Sequence, residues 1–299
     1  MSTIEVRNIS KTFGQTRAVD DATFEVNGGE IFGLLGPNGA GKTTTIRIIL
    51  DIFKPDSGTV SVLGGPMTEE KKDRIGYLPE ERGLYQDLKL ENCLVYLATL
   101  KGMSTTDARR EIGAYLERFE LAPHRKMKVK ELSKGMQQKA QLIATLVHRP
   151  QIVIIDEPFT ALDPVNTQMV KDLLQEERAR GTTIVMCTHQ MHQVEELADR
   201  IALIDKGETV LYGNLIDIRR QYASDGVLVR TLNELPSSLP GVREIVPHNS
   251  STLLRCEPGK NPQDILHTLV EKGIVLEQFE IAMPTLDEIF IQVVNESKD

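Results

Sequence analysis

Over residues 1–205, short apolar runs alternate with segments whose apolar positions recur every three or four residues. That alternation predicts a largely parallel sheet covered by helices, an α/β architecture. Strands are expected at 4–8, 19–26 (alternating through Ala22, Phe24 and Val26), 31–35, 58–63 and 74–78. They are expected again at 152–155, 182–187 and 201–204. A helix starting at Lys42 carries Ile46, Ile49 and Leu50 on one face, and another places Ile112, Tyr115, Leu116 and Phe119 together. Between about 83 and 150 the period is helical throughout, which predicts a helical subdomain inserted into the sheet domain. A helix over 164–180 should stop at Gly181, and Lys206-Gly207 should turn a hairpin.

After residue 220 the pattern changes. A strand at 227–231, a short helix, strands at 243–247 and 251–256, a helix at 262–272 and a strand at 274–280 follow, then a last helix from Thr285. Without that last helix the order is βαββαβ, the split βαβ of a small ferredoxin-like α+β domain. Two domains, 1–220 and 221–299, are therefore expected, as the 299-residue length also suggests at about 150 residues per domain.

Charge sharpens this division. The chain has 35 basic and 43 acidic residues, a formal charge of −8, and residues 221–299 hold 6 of the basic and 12 of the acidic groups. An acidic chain is poorly suited to neutralising nucleic-acid phosphates, so no nucleic-acid partner is expected. Three widely spaced cysteines, Cys93, Cys187 and Cys256, lack the paired spacing of a metal or redox centre and fit a reducing cytoplasm. No secretory signal is legible at the start, and no apolar run approaches the roughly 18 residues of a membrane span. There is no internal repeat, and the basic run Arg125, Lys126, Lys128, Lys130 reads as a solvated loop rather than a lipid-facing patch.

Candidate chemistry begins at Gly36-Pro-Asn-Gly-Ala-Gly-Lys42-Thr43, which satisfies G-x-x-x-x-G-K-[ST] between an expected strand and an expected helix. Its glycines let backbone N–H groups turn inward around a phosphate while the helix N-terminus adds positive potential. Lys42 is then placed for the outer phosphates and Thr43 for Mg²⁺. The apolar strand 152–155 runs into Asp156-Glu157-Pro158. Carboxylates at the end of a buried strand are costly unless they serve a cation or accept a proton, so Asp156 is the natural Mg²⁺ partner and Glu157 the natural base for water. Asp156 follows Lys42 by 114 positions, and before it stands Leu132-Ser133-Lys134-Gly135-Met136, where Ser133 can cap a helix and present its N-terminus to an anion.

In order and spacing, the phosphate loop, Leu132-Ser-x-Gly135, Asp156-Glu157-Pro158, Ala161-Leu162-Asp163 and Thr188-His189 resemble the nucleotide-binding domain of ABC transporters over about residues 1–220. The resemblance implies a P-loop NTPase core and a homo- or heterodimer sandwiching two ATP. Around each nucleotide it places Phe13, Gly36, Asn38, Gly39, Gly41, Lys42, Thr43 and Thr44, with Ser133 and Gly135 reaching the γ-phosphate of the partner's ATP. It further implies that Asp163 links the two sites, that His189 senses the γ-phosphate and is catalytic along with Glu157, and that Phe13 stacks on adenine. A buried core position is the competing reading for Phe13.

Two departures stand out. Lys134 and Met136 alter the commoner LSGGQ signature, and Glu80, in Ile75-Gly-Tyr-Leu-Pro-Glu80, replaces the glutamine that usually approaches metal and water. Glu80 therefore joins Thr43 and Asp156 as a candidate Mg²⁺ ligand, and Glu157 and His189 as a candidate catalytic residue. The stretches Pro79-Glu-Glu-Arg-Gly-Leu-Tyr85 and Pro284-Thr-Leu-Asp-Glu-Ile-Phe290 resemble export-type ATPases of the sodium-extrusion and drug-resistance subgroup. The expectation is thus a cytoplasmic, peripheral ATPase subunit driving export through a separate polytopic permease. The alternative is a soluble ABC-type ATPase acting on ribosomes or DNA.

Overall fold

The computed structural model describes residues 2–81, 83–223 and 226–296. The chain divides into two compact units between Leu215 and Ile216. The sequence pattern puts this junction after residue 220, inside the helix α8 (Leu215–Gln221).

In the first unit a six-stranded sheet runs β5 (Ile75–Leu78), β6 (Ile152–Asp156), β7 (Thr183–Thr188), β3 (Ile31–Leu35), β8 (Arg200–Asp205), β9 (Glu208–Asn214). All neighbours are parallel except the final hairpin β8–β9. Every residue of β3, β6 and β7 is buried, which is why these strands read as unbroken apolar runs instead of alternating ones. A second, antiparallel sheet orders β2 (Thr16–Asn27), β1 (Ser2–Phe13) and β4 (Ser57–Val62). Its apolar face joins that of the main sheet in one core, where the Phe24 and Phe32 rings stack at 5.5 Å.

Strands β1 and β2 outrun the expected 4–8 and 19–26 because a side-chain pair holds an irregular crossing. Asn8 and Asp21 sit at φ 49° and 53°, and Asn8 Nδ2 donates to Asp21 Oδ1 at 2.9 Å. Short polar side chains tolerate that left-handed backbone, so pairing resumes beyond it.

Helices α3 (Leu90–Leu100), α4 (Thr105–Arg118) and α5 (Lys134–Leu146) form the inserted helical subdomain between β5 and β6. Ser104 caps α4 and Ser133 caps α5, accepting from Asp107 N at 3.1 Å and Met136 N at 3.2 Å. The basic run is partly neutralised: Arg125 pairs with Glu91 and Lys130 with Asp87, each at 2.7 Å. Helix α6 (Pro164–Ala179) is capped by Asp163 and ended by Gly181 at φ 93°.

The second unit is a four-stranded antiparallel sheet in the order β11 (Val242–His248), β12 (Ser251–Cys256), β10 (Gly226–Thr231), β13 (Leu276–Ile281). Helix α9 (Pro262–Glu271) covers one face, with Val227, Val229, Leu254, Cys256, Ile265 and Leu269 in the core. This is the strand order of the split βαβ, but the expected short helix between β10 and β11 is absent. Pro236 and Pro240 each lack a backbone donor, and Asn233 spends its side chain on Val275 N at 2.9 Å, so a loop crosses instead and plugs the core with Leu239. Thr285 and Glu288 cap α10 (Leu286–Glu296) reciprocally, Glu288 N reaching Thr285 Oγ1 at 3.2 Å and Thr285 N reaching Glu288 Oε2 at 2.8 Å.

Candidate nucleotide site

Parallel register gathers the chemistry. Leu35 pairs with Thr188 and Asp156 with Cys187, so the C-terminal ends of β3, β6 and β7 lie side by side. The phosphate loop, Asp156-Glu157 and Thr188-His189 leave the sheet together there, the edge at which open α/β sheets bind ligands.

Between β3 and α1 (Lys42–Ile49) the loop turns through left-handed backbone at Gly36, Gly39 and Gly41, with φ 147°, 80° and 106°. At Gly36 a Cβ would lie 2.1 Å from Ile204 O, and at Gly41 2.2 Å from Ala18 O, so side chains are excluded by backbone contact as well as by φ. Lys42 is buried, its Nζ donating to Gly36 O at 2.7 Å and Pro37 O at 3.0 Å. Thr43 Oγ1 donates to Asp156 Oδ2 at 3.0 Å, bringing together two residues 113 apart in the chain.

Asp156 is buried, and desolvation raises its pKa, opposed by hydrogen bonds from Cys187 and Thr43. A carboxylate that resists ionisation in the free protein gains when a cation arrives. Glu157 is also buried and sits at φ 54°, a left-handed conformation that a non-glycine residue keeps only under constraint. The constraint is visible: Oε2 accepts from Thr188 Oγ1 at 2.9 Å, while Oε1 accepts from His189 N at 3.0 Å and lies 2.6 Å from His189 Nδ1. Thr188 itself accepts from Gln190 N at 3.0 Å. From α5, Gln138 Nε2 donates to Pro158 O at 3.2 Å and Gln141 Nε2 to Glu81 O at 3.3 Å, tying the helix to the chain beside both Glu157 and Glu80.

These groups open onto a cavity of about 400 Å³, large enough for a nucleotide's phosphates. It is lined by Asn38, Gly39, Gly41, Lys42, Thr43, Thr44, Glu80, Asp156 and Glu157 among the expected residues. Thr16, Arg17, Ala18 and Lys206 line it too; no local pattern marks them, since they enter from the β1–β2 and β8–β9 hairpins.

Six expected residues do not line this cavity: Gly36 and His189, whose contacts with Lys42 and Glu157 are given above, and four others. Phe13 is 44% exposed, edge-on to Phe53 at 5.3 Å, which overturns the core reading for it. Ser133 is exposed at the start of α5. Gly135 packs against the Ala161-Leu162 turn, where a Cβ would come within 3.1 Å of Ala161 O. Asp163 is occupied in capping α6, through Asn166 N at 2.9 Å. Arg82, within the exporter-like Pro79–Tyr85 stretch, lies outside the described residues.

The donor set suits Mg²⁺. Among the described residues no group of three or more His, Cys, Asp or Glu forms a metal cage. Mg²⁺ with a nucleotide needs none: it takes one or two protein oxygens, keeps waters and uses the phosphates. The adjacent Thr43 hydroxyl and Asp156 carboxylate match that demand.

Known proteins place the chain. Residues 19–160 match the ABC transporter family, and residues 213–294 match the C-terminal domain of DrrA1-3-like ATP-binding proteins. An uncharacterized ABC transporter ATP-binding protein of Bacillus subtilis is 39% identical over 97% of this chain and 98% of its own. The linearmycin resistance ATP-binding protein of the same organism is 29% identical over 97% of each chain. The dimeric structure of a bacterial ABC transporter cassette superimposes with a TM-score of 0.66 at 25% identity, covering 71% of this chain and 98% of that one. Cassettes of this kind bind and hydrolyse ATP. The chain belongs to the ATP-binding proteins of ABC transporters.

Proposed function

We propose that the protein is the Mg-ATP-hydrolysing subunit of an exporter, dimerising around two ATP and driving a separate membrane subunit from the cytoplasmic face. What carries this reading is the single cavity that joins Lys42, the Thr43–Asp156 pair and Glu157. Lys42 releases the loop carbonyls and turns its ammonium to the β- and γ-phosphates. Thr43 and Asp156, with Glu80 lining the same cavity, would hold Mg²⁺. When bound, that ion neutralises charge on the β- and γ-phosphate oxygens.

Glu157, fixed by Thr188 and His189, accepts a proton from the attacking water as its oxygen bonds to the γ-phosphorus. The bond to the β–γ bridging oxygen breaks, leaving ADP and inorganic phosphate. Ser133 and Gly135, with Lys134 beside them, complete the partner's site, Asp163 links the two sites, His189 senses the γ-phosphate, and the open face of Phe13 receives adenine. Exposure of Ser133 and Phe13 supports these outward roles. Export is supported by the DrrA-like C-terminal match and by likeness to a linearmycin resistance protein. A separate membrane subunit is supported by the fact that no helix among the described residues is long and apolar enough to cross a bilayer.

Glu157→Gln keeps shape and removes basicity. ATP binding should persist while phosphate release falls about 10²-fold or more, and the variant should run as a dimer with ATP on sizing columns. Unchanged turnover would refute the assignment. Co-sedimentation with membranes carrying a permease agrees with the exporter reading; salt-sensitive co-sedimentation with ribosomes would favour the ribosomal alternative.

A further inference from the structure

Beyond Lys42, one more cation among the described residues borders the phosphate cavity with its charge unspent. The β8–β9 hairpin closes on Lys206-Gly207, both residues left-handed at φ 48° and 89°, between the paired Asp205 and Glu208. This two-residue turn is strapped to the site by backbone on two sides: Gly207 N donates to Ala40 O in the phosphate loop at 2.8 Å, and Asp20 N donates to Gly207 O at 2.9 Å. A Cβ on Gly207 would lie 3.0 Å from Asp20 N and 3.1 Å from Val19 Cα, so the turn has no room to shift. Lys206 is thereby held at the cavity wall with an exposed side chain.

Its neighbour Arg17 lines the same wall but is engaged by Asp20 at 2.5 Å, and Lys42 is engaged by two carbonyls. Among the described residues Lys206 has no hydrogen bond or ion pair, not even with Asp205 or Glu208 beside it. We propose that Lys206 is a second phosphate-binding cation of this site, contacting the nucleotide's polyphosphate from the rim while Lys42 contacts it from the loop.

The assignment rests on the nucleotide-site reading above and adds a residue to it. An ammonium at a wet rim contributes to binding and is weakened by salt, so it acts on affinity more than on the chemical step. In the full-length protein at low ionic strength, Lys206→Gln should raise the Kd for ATP and the KM for Mg-ATP about three- to tenfold with little change in kcat. It should also flatten the dependence of Kd on salt. Lys206→Arg, which keeps the charge and the turn, should restore affinity to within about twofold, and Arg17→Gln, whose charge is already paired, should have the smaller effect. An unchanged Kd in Lys206→Gln, or a fall in kcat alone, overturns the proposal. Lys42→Ala separates the two readings. If it abolishes ATP binding while Lys206→Gln does not alter it, the nucleotide site stands and the role of Lys206 falls; if Lys42→Ala binds ATP normally, both fall.

Discussion

The two units bury different things. Among the described residues, every buried polar or charged side chain lies in the first unit, from Ser10 to Thr188, and includes Lys42, Asp156 and Glu157. The second unit keeps a small core of Val227, Val229, Leu239, Leu254, Cys256, Ile265 and Leu269 with no buried charge among its described residues. Burying a charge costs several kcal/mol unless it is paired; Glu30, Lys171 and Glu177 have ion-pair partners, whereas Asp156 at the site has hydrogen bonds but no ion pair. By that measure the first unit gives up stability to hold a nucleotide, and the second is built for packing. We infer that the second unit supports or regulates the assembly and takes no part in hydrolysis.

The sharpest way to break this contrast is to damage the second core and watch the first. Leu254→Ala, at a fully buried central position of the sheet, should cost about 3 kcal/mol of that unit's stability in denaturant melts, while ATP affinity at temperatures below the melt stays unchanged. A matching loss of ATP affinity would show that the division of labour is wrong.

Acid should strike the first unit. His148 lies against Ile75 O at 3.4 Å, and burial, aided by the charge of Lys101, lowers its pKa from 6.5 to about 4. The unfolded chain therefore takes up a proton first as pH falls from about 6.5, and the folded state loses stability until about pH 4, where both forms are protonated. Allowing for the part of the ring that meets water, this is a loss of about 2 kcal/mol, and His148→Gln should flatten the slope of stability against pH over that interval.

Asp156→Asn tests whether the site is held at a cost. The folded pKa of Asp156 is raised, so its ionised form opposes folding at neutral pH. The variant without nucleotide should be more stable at pH 7, a gain that fades as pH falls and is gone below the ordinary aspartate value of 3.8, where both states protonate the aspartate. A variant less stable than the parent at pH 7 would mean the Thr43 bond outweighs desolvation.

The smallest expected effect is at Glu80, which lines the cavity but is exposed. Glu80→Gln should need about two- to fivefold more Mg²⁺ for half-maximal hydrolysis and bind metal-free ATP more tightly, because one negative charge has left the cavity. Superimposable Mg²⁺ titrations would show that Glu80 does not approach the metal in the isolated subunit.

Local chemistry made much of this protein legible in advance. Glycines at 36, 39 and 41 announce a left-handed turn, the unbroken apolar strand ending in Asp156-Glu157 announces a buried carboxylate pair, and Ser133 announces a helix start. Each is a property of a few consecutive residues, and the period of apolar positions separates strand from helix. The expected helix between β10 and β11 failed because two prolines and the Asn233 side chain outweighed an apolar pattern. The motifs place Thr43 and Asp156 on one metal, but only the tertiary structure decided that they bond directly, that Thr188 and His189 hold Glu157, and that Lys206 stands at the cavity wall. Those contacts join residues 113, 31 and 32 positions apart, and for Lys206 two separate hairpins, and they exist because parallel strands align their C-terminal ends. No local rule encodes which strands become neighbours; that choice belongs to the packing of the whole core.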